Sequence, residues 1–150
     1  MIEDKAPETV SAALESDPQA VYLDVRTVGE FVRGHEPGSL NDPIAEPSTA
    51  TGMMVPNPDF IAVVESAIAR EATIYCGCAS GIRSRHAVTL LHEAGYSTAY
   101  NVTAGFNGVV DPLGRVIEPG WAARGLEIES GDGGPFSYAA LRAASEPADG

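Results

Sequence analysis

The sequence has few cysteines, few basic residues and no long apolar run. Its two cysteines, Cys76 and Cys78, exclude a disulfide framework that joins distant parts of the chain. No run approaches the ~20 apolar residues that a membrane-spanning helix needs, and Met1 is not followed by a basic stretch and an apolar core. We therefore expect no membrane partner, no secretory signal and a cytoplasmic location.

Positive charge and histidine are also scarce. Nine Lys and Arg residues face 21 Asp and Glu residues, so the formal net charge is -12. Such a chain repels nucleic acid and anionic lipid, and we expect it to bind neither. The three histidines, His35, His86 and His92, lack the spacing of metal ligands, and the cysteine pair lacks two further ligands nearby. We therefore expect no metal and no cofactor.

The remaining composition is typical of a globular domain, with 44% hydrophobic residues over 150 positions. Short β-prone runs alternate with amphipathic helices, which favours an α/β fold with a mainly parallel sheet. The predicted elements are helix 9–14, strand 21–25, helical turns around 30, helix 58–68, strand 72–76, helix 82–94, strand 97–102 and a helical patch at 121–124.

Two segments are predicted to lack regular structure. Residues 42–58 contain several prolines and little periodicity, which indicates a surface connection. Residues 129–150 are rich in Gly, Ser, Ala and acidic residues, so we expect a loosely ordered C-terminal tail after a domain formed by residues 1–128.

The segment 75–85 carries the residues best suited to chemistry, where a strand ends and a helix begins. A loop in this position aims several backbone N–H groups at one point, and the helix N-terminus adds partial positive charge. A thiolate at Cys78 is stabilised there and is a candidate nucleophile. Small side chains follow it and let the backbone close around a compact anion: Ala79, Ser80 and Gly81.

The surroundings of this loop are free of acidic residues. No acid occurs between Glu71 and Glu93, although about three would be expected by chance. Arg83, Arg85 and His86 lie inside this stretch. The chain is therefore acidic as a whole and basic near the thiol, which suits an anionic substrate.

These residues resemble a known family. The run Cys78-Ala79-Ser80-Gly81-Ile82-Arg83-Ser84 is similar to the C-x-x-G-x-R-S active-site loop of single-domain rhodaneses, which are sulfurtransferases. Three further motifs occur in the family's order: Leu23-Asp24-Val25-Arg26 with Glu30-Phe31, the turn from Gly34 to Asn41, and Tyr100-Asn101-Val102 followed by Gly105-Phe106-Asn107-Gly108. The resemblance covers roughly residues 8–128.

The resemblance implies a rhodanese-like α/β fold, with a mainly parallel five-stranded sheet flanked by helices on both faces. It also implies transfer of sulfane sulfur from thiosulfate or a related anion to cyanide or a thiol. In that reaction Cys78 holds a persulfide, and the substrate-binding residues cradle it; these are Ala79, Ser80, Gly81, Ile82, Arg83 and Ser84. The resemblance leaves open whether a protein is the acceptor of the sulfur.

The same resemblance assigns roles to several charged residues. Arg83 would orient and neutralise the anionic donor. Asp24, Arg26 and Arg85 would support the site, and an ion pair that only organises the loop explains Asp24 and Arg26 equally well. Three features depart from the family pattern: Ala104 in place of a glycine, Glu36 in place of an apolar residue, and an insertion at 109–120 that forms either a hairpin shaping the pocket mouth or a passive loop.

Three other functions compete with sulfur transfer. A cysteine phosphatase or arsenate reductase needs five residues between Cys and Arg, and Cys78 and Arg83 enclose four. Cys76 and Cys78 could form a strained, easily reduced disulfide in a redox protein. The third alternative is a non-enzymatic protein, either a sulfur carrier that loads sulfur without turnover or a regulatory module that only binds a partner.

Overall fold

The computed structural model describes residues 2–146, which contain nine strands and five α-helices. The strands are β1 (Asp4–Lys5), β2 (Val21–Asp24), β3 (Leu40–Asn41), β4 (Ala45–Pro47), β5 (Met54–Pro56), β6 (Ile74–Gly77), β7 (Ala99–Val102), β8 (Gly108–Val110) and β9 (Val116–Pro119). The α-helices are α1 (Pro7–Ser16), α2 (Val28–Arg33), α3 (Phe60–Ala67), α4 (Ile82–Glu93) and α5 (Tyr138–Ser145). Short 3₁₀ helices lie at Trp121–Arg124 and Gly134–Phe136.

Five of these strands form a parallel sheet in the order β1-β7-β6-β2-β3. The helices α3 and α4 pack on one face of the sheet, and α1 and Trp121 pack on the other. The predicted α/β fold with a five-stranded parallel sheet is therefore confirmed. No helix within residues 2–146 is long and apolar enough to cross a membrane.

The strand register places three loops at one edge of the sheet. Asp24 on β2 pairs with Asn41 on β3 and with Gly77 on β6. Because the three strands are parallel, the chain leaves each of them at the same edge, and this edge is where parallel α/β sheets usually bind ligands. The segments that begin at Val25, Asp42 and Cys78 therefore meet there.

The start of α3 lies two residues after its predicted position. The pattern placed Asn57 at the cap and Pro58 at the first helical position. In the structure the side chain of Asn57 accepts a hydrogen bond from the Asp59 N–H at 3.0 Å, and the helix begins at Phe60. A turn stabilised by Asn57 thus replaces the first turn of the predicted helix.

The segment 42–58 is more regular than predicted. Its strands β4 and β5 form an antiparallel hairpin in which Ala45 pairs with Pro56 and Pro47 pairs with Met54. The predicted surface connection is present, since residues 49–56 are all exposed, and prolines at these edge positions leave enough N–H groups for a short ladder.

The C-terminal segment is also more ordered than predicted. Helix α5 packs against α3, and its Leu141 is 8% exposed. The Arg142 side chain pairs with Asp59 at 3.1 Å, and the Ser66 hydroxyl donates to the carbonyl of Ala144. The expectation of loose order therefore fails for residues up to 146, because composition does not reveal that one leucine and one arginine fit against α3. Residues 147–150 of the predicted tail lie outside the described residues.

Candidate active site

Cys78 lies in a tight turn between the end of β6 and the start of α4. The turn closes because Gly81 adopts φ +103°, a left-handed conformation that favours glycine. The backbone N–H of Gly81 donates to the Cys78 Sγ at 3.1 Å, and the Ser84 Oγ lies 3.4 Å from the same sulfur. The thiol is thus held at the N-terminus of a twelve-residue helix, where a negative charge is favoured.

The sulfur lies in a buried position. Cys78 is 1% exposed, and within residues 2–146 Gly81 provides the backbone N–H that is hydrogen-bonded to its sulfur. The carbonyl of Cys78 accepts from the N–H of Phe106 at 2.7 Å, and that of Ala79 accepts from Asn107 at 2.8 Å. The turn that follows β7 therefore braces the Cys78 loop from outside, a contact that the sequence reasoning missed.

Arg83 has a carboxylate partner that the sequence did not reveal. Its two terminal nitrogens lie 2.7 and 3.0 Å from the two carboxylate oxygens of Glu30. Burial alone would raise the pKa of Glu30, but hydrogen bonds from Arg83 and Thr27 outweigh it and lower this pKa to about 2. The Glu30 carboxylate is therefore ionised at neutral pH, and it occupies both terminal nitrogens of Arg83.

Asp24 and Arg26 form a buried ion pair. The Arg26 Nη2 lies 2.6 Å from the Asp24 carboxylate and donates to the Gly34 carbonyl at 2.7 Å. Its guanidinium stacks on the ring of Phe106 at 4.3 Å, and Asn41 donates to the Asp24 and Arg26 carbonyls. These contacts join the loops after β2, β3 and β7, so the pair organises the sheet edge and does not touch the sulfur.

Arg85 lies on the outer side of α4. It pairs with Asp4 of β1 at 2.8 Å, and both side chains are about half exposed. Its supporting role stays a prediction, and the contact that the structure shows for it is with Asp4. The Asp4 carboxylate also accepts from the Asn101 side chain, which contacts Ser84. Asn101 lies in the family motif Tyr100-Asn101-Val102, and its place in that motif was the feature of the sequence that pointed to a role at the site.

Two buried groups flank the site without reaching its sulfur. Cys76 is 0% exposed inside β6, and burial followed by the charge of Cys78 raises the pKa of its thiol well above the usual value. Glu36 is 1% exposed, and burial followed by the charge of Asp24 raises the pKa of its carboxyl. The Cys76 thiol is therefore neutral at pH 7. No cluster of three or more potential metal-ligating side chains lies within residues 2–146.

A cavity of about 280 Å³ opens beside the Cys78 loop. Its lining residues come from the segments after β2 and β7: Arg26, Glu30, Arg33, Gly34, Phe106 and Asn107. The insertion at 109–120 forms the antiparallel hairpin of β8 and β9, which begins at Gly108 and contributes no lining residue. Of the two predicted forms of the insertion, the hairpin is present, and it does not shape this cavity.

Comparison with known proteins identifies the family to which this chain belongs. Residues 6–111 match the model of the rhodanese-like domain. The chain is 39% identical to thiosulfate sulfurtransferase 16, chloroplastic, of Arabidopsis thaliana over 132 residues, which cover 85% of this chain and 98% of that protein. It is also 39% identical to thiosulfate sulfurtransferase 18 of the same plant, over 71% of this chain and 82% of the relative.

Solved structures agree with this result. The crystal structure of Rv0390 from M. tuberculosis superposes with a TM-score of 0.71 at 31% sequence identity, covering 86% of this chain and 98% of that one. The matched region contains the Cys78 loop, the buried Asp24–Arg26 pair and the turn after β7. The chain therefore belongs to the rhodanese-like domain family, which includes relatives named as sulfurtransferases.

Proposed function

We propose that this protein transfers sulfane sulfur from thiosulfate or a related anionic donor to cyanide or a thiol, through a persulfide on Cys78. The thiol first loses its proton to water. The thiolate then attacks the outer sulfur of thiosulfate, a new S–S bond forms, and the S–S bond of the donor breaks as sulfite leaves with the electron pair. Attack of cyanide on the outer sulfur breaks the new bond, releases thiocyanate and restores the thiolate.

One observation carries the proposal. The Cys78 sulfur accepts an N–H from Gly81 at the start of α4, with the Ser84 hydroxyl beside it. The Gly81 N–H favours sulfur in its anionic form, which is the nucleophile and the leaving group of the two steps. The names of two relatives that are 39% identical support thiosulfate as the donor.

A thiosulfate:cyanide assay tests the proposal. We expect Cys78→Ser to fold like the wild type and to lose all turnover, because a serine alkoxide is not accessible at neutral pH. Cys76→Ala is the matched control: Cys76 is buried and has no place in the reaction, so this variant is expected to keep most of the rate. Equal loss in both variants would contradict a specific role of Cys78.

Mass spectrometry distinguishes the reaction from redox chemistry. Incubation with thiosulfate should add about 32 Da, one sulfur atom, to the peptide that contains Cys78. Formation of a disulfide with Cys76 would instead remove about 2 Da. Loss of two mass units without a gain would overturn sulfur transfer in favour of the redox alternative.

A sulfur carrier is the second candidate, because Cys78 is 1% exposed. A buried persulfide is protected from small nucleophiles and can be released to a docked acceptor. Loading with one sulfur followed by no thiocyanate release would support the carrier, whereas steady turnover with cyanide supports the enzyme.

A further inference from the structure

Behind Cys78, a chain of polar side chains leads to the edge strand β1. The Ser84 hydroxyl lies 3.4 Å from the Cys78 sulfur and also contacts Oδ1 of Asn101. The Nδ2 of Asn101 donates to the Asp4 carboxylate at 2.9 Å. Ser84 and Asn101 are 0% and 3% exposed, so the contact between them is shielded from water, whereas Asp4 is about half exposed.

The orientation of the Asn101 amide follows from its two neighbours. A carboxylate can only accept, so the nitrogen of the amide must face Asp4 and its oxygen must face Ser84. Arg85 donates to the same Asp4 oxygen at 2.8 Å and holds that carboxylate in place. Asp4 therefore orients the Asn101 amide so that its Oδ1 faces the Ser84 hydroxyl and can accept the hydrogen of that hydroxyl.

The Ser84 hydroxyl has one hydrogen and two acceptors. If it donates to Asn101, it offers the sulfur only a lone pair, which suits a protonated thiol that donates to it. If it donates to the sulfur, it stabilises the thiolate and leaves the Asn101 oxygen without this hydrogen. Asn101 and the sulfur anion thus compete for one hydrogen.

We propose that Asn101, oriented by Asp4, is a positioning residue that draws the Ser84 hydrogen away from Cys78 and thereby restrains formation of the thiolate. The reactivity of the nucleophile is then linked to the docking of β1 on β7. This proposal deepens the proposed function and rests on it for its biological meaning, but it is tested without sulfur transfer.

Other titratable groups near Cys78 are left unchanged by the test. Arg83 on α4 interacts electrostatically with Cys78 and is paired with Glu30, and Cys76 on β6 is neutral at pH 7. Asp4 itself is a charged group, so the test must separate its hydrogen bond from its charge. The variants Asp4→Ala and Asp4→Asn do so, because asparagine removes the charge and keeps an oxygen that Arg85 and Asn101 can share.

The experiment is a pH titration of thiolate ultraviolet absorbance, with Cys78→Ala subtracted so that only Cys78 is recorded. Without the Asp4 carboxylate the Asn101 amide can turn and donate to Ser84, whose hydrogen is then available to the sulfur. We expect Asp4→Ala to lower the midpoint by about half to one pH unit, a three- to tenfold rise in thiolate fraction at lower pH. Asn101→Leu should shift the midpoint in the same direction.

The controls decide between the relay and a simple loss of charge. Asp4→Asn is expected to shift the midpoint by less than half as much as Asp4→Ala. Glu3→Ala removes an exposed carboxylate beside β1 and should have a similarly small effect. In a Ser84→Ala background, Asp4→Ala should move the midpoint no further than Asp4→Asn does in the wild type.

Three outcomes would overturn the proposal. They are equal shifts in Asp4→Ala and Asp4→Asn, a full Asp4→Ala shift that survives in the Ser84→Ala background, and an unchanged or raised midpoint in both Asp4→Ala and Asn101→Leu. Circular dichroism confirms folding of each variant, and Asp4, half exposed on an edge strand, is a site that tolerates substitution. Because the titration needs no sulfur donor, it can succeed even if sulfur transfer is absent.

Discussion

The ion pair between Arg83 and Glu30 engages the arginine that is proposed to bind the anionic donor. The two residues make two hydrogen bonds, and Arg83 keeps about 29% of its side chain exposed. If Arg83 binds the donor, we expect Arg83→Gln to raise the KM for thiosulfate by about tenfold, the cost of one charge-assisted hydrogen bond. Steady-state kinetics with thiosulfate as the varied substrate measures this change.

The substitution Glu30→Gln changes the acidic partner of the Arg83–Glu30 pair, and it is expected to change KM in the opposite direction. Glutamine at the third helical position retains the capping contact with Thr27, while Arg83 loses its competing carboxylate. The KM for thiosulfate should then fall several-fold. An increase of KM in Glu30→Gln would show that the pair positions the loop and that Arg83 does not bind the donor.

Residue spacing in the sequence predicts the local part of this site, but it does not reveal the contacts between residues that are distant in the chain. The small residues after Cys78 and the helix that follows are local in sequence, so the turn at Gly81 could be anticipated. The Glu30–Arg83 pair spans 53 residues and the Asn101–Asp4 contact spans 97, and no local pattern encodes either. The burial of Cys78 depends on packing by the turn after β7, which is likewise a tertiary property.

At the scale of elements, the turn after β7 holds the Cys78 loop in place. Gly105 lies in this turn with φ +58°, and a Cβ at this position would lie 2.8 Å from the Ala79 carbonyl carbon. We expect Gly105→Ala to displace the loop, to lower persulfide formation more than about a hundredfold and to destabilise the fold by about 3 kcal/mol. Mass spectrometry after thiosulfate and urea unfolding measure the two effects.

Gly114→Ala is the matched control for that substitution. Gly114 has φ +80° in the hairpin of β8 and β9, and a Cβ there meets no atom within 4 Å. It carries the same backbone strain without the collision, so it should cost about 1 kcal/mol and leave persulfide formation intact. Equal loss of loading in the two variants would show that the turn does not brace the loop.

The elements themselves were predicted unevenly. Strands β2, β6 and β7 and helix α4 carry their apolar patterns within one segment, and they were found close to their predicted positions. The hairpin of β4 and β5 and the helix α5 were missed because their stability comes from pairing and docking. The cytoplasmic location stays a prediction, since nothing in the fold bears on it.

At the scale of the whole molecule, carboxyl groups are buried as well as exposed. The chain carries a net charge of -12, and Asp42 and Glu36 are 0% and 1% exposed. Neither Asp42 oxygen has a hydrogen-bond partner within residues 2–146. Burial, and then the charge of Asp59, raises the pKa of Asp42 from 3.8 to about 9, so this carboxyl stays protonated in the folded protein at neutral pH.

This raised pKa predicts that stability falls as pH rises. The folded state binds a proton at Asp42 that the unfolded state releases near pH 4, so the unfolding free energy declines from about pH 4 until the group ionises near pH 9. Glu36 acts in the same direction. Urea unfolding at several values from about pH 5 to about pH 9 should show the decline.

Asp42→Asn tests the source of this dependence. Its neutral amide occupies the same space without releasing a proton on unfolding, so the variant should lose part of the pH dependence and be more stable than the wild type by on the order of 3 kcal/mol near pH 8. Glu71→Gln, which removes an exposed carboxylate, is expected to change stability by less than about 0.5 kcal/mol and to keep the slope. If Asp42→Asn unfolds with the same pH dependence as the wild type, the carboxyl of Asp42 is ionised in the folded state, and the negative charge of the molecule is carried inside its core as well as on its surface.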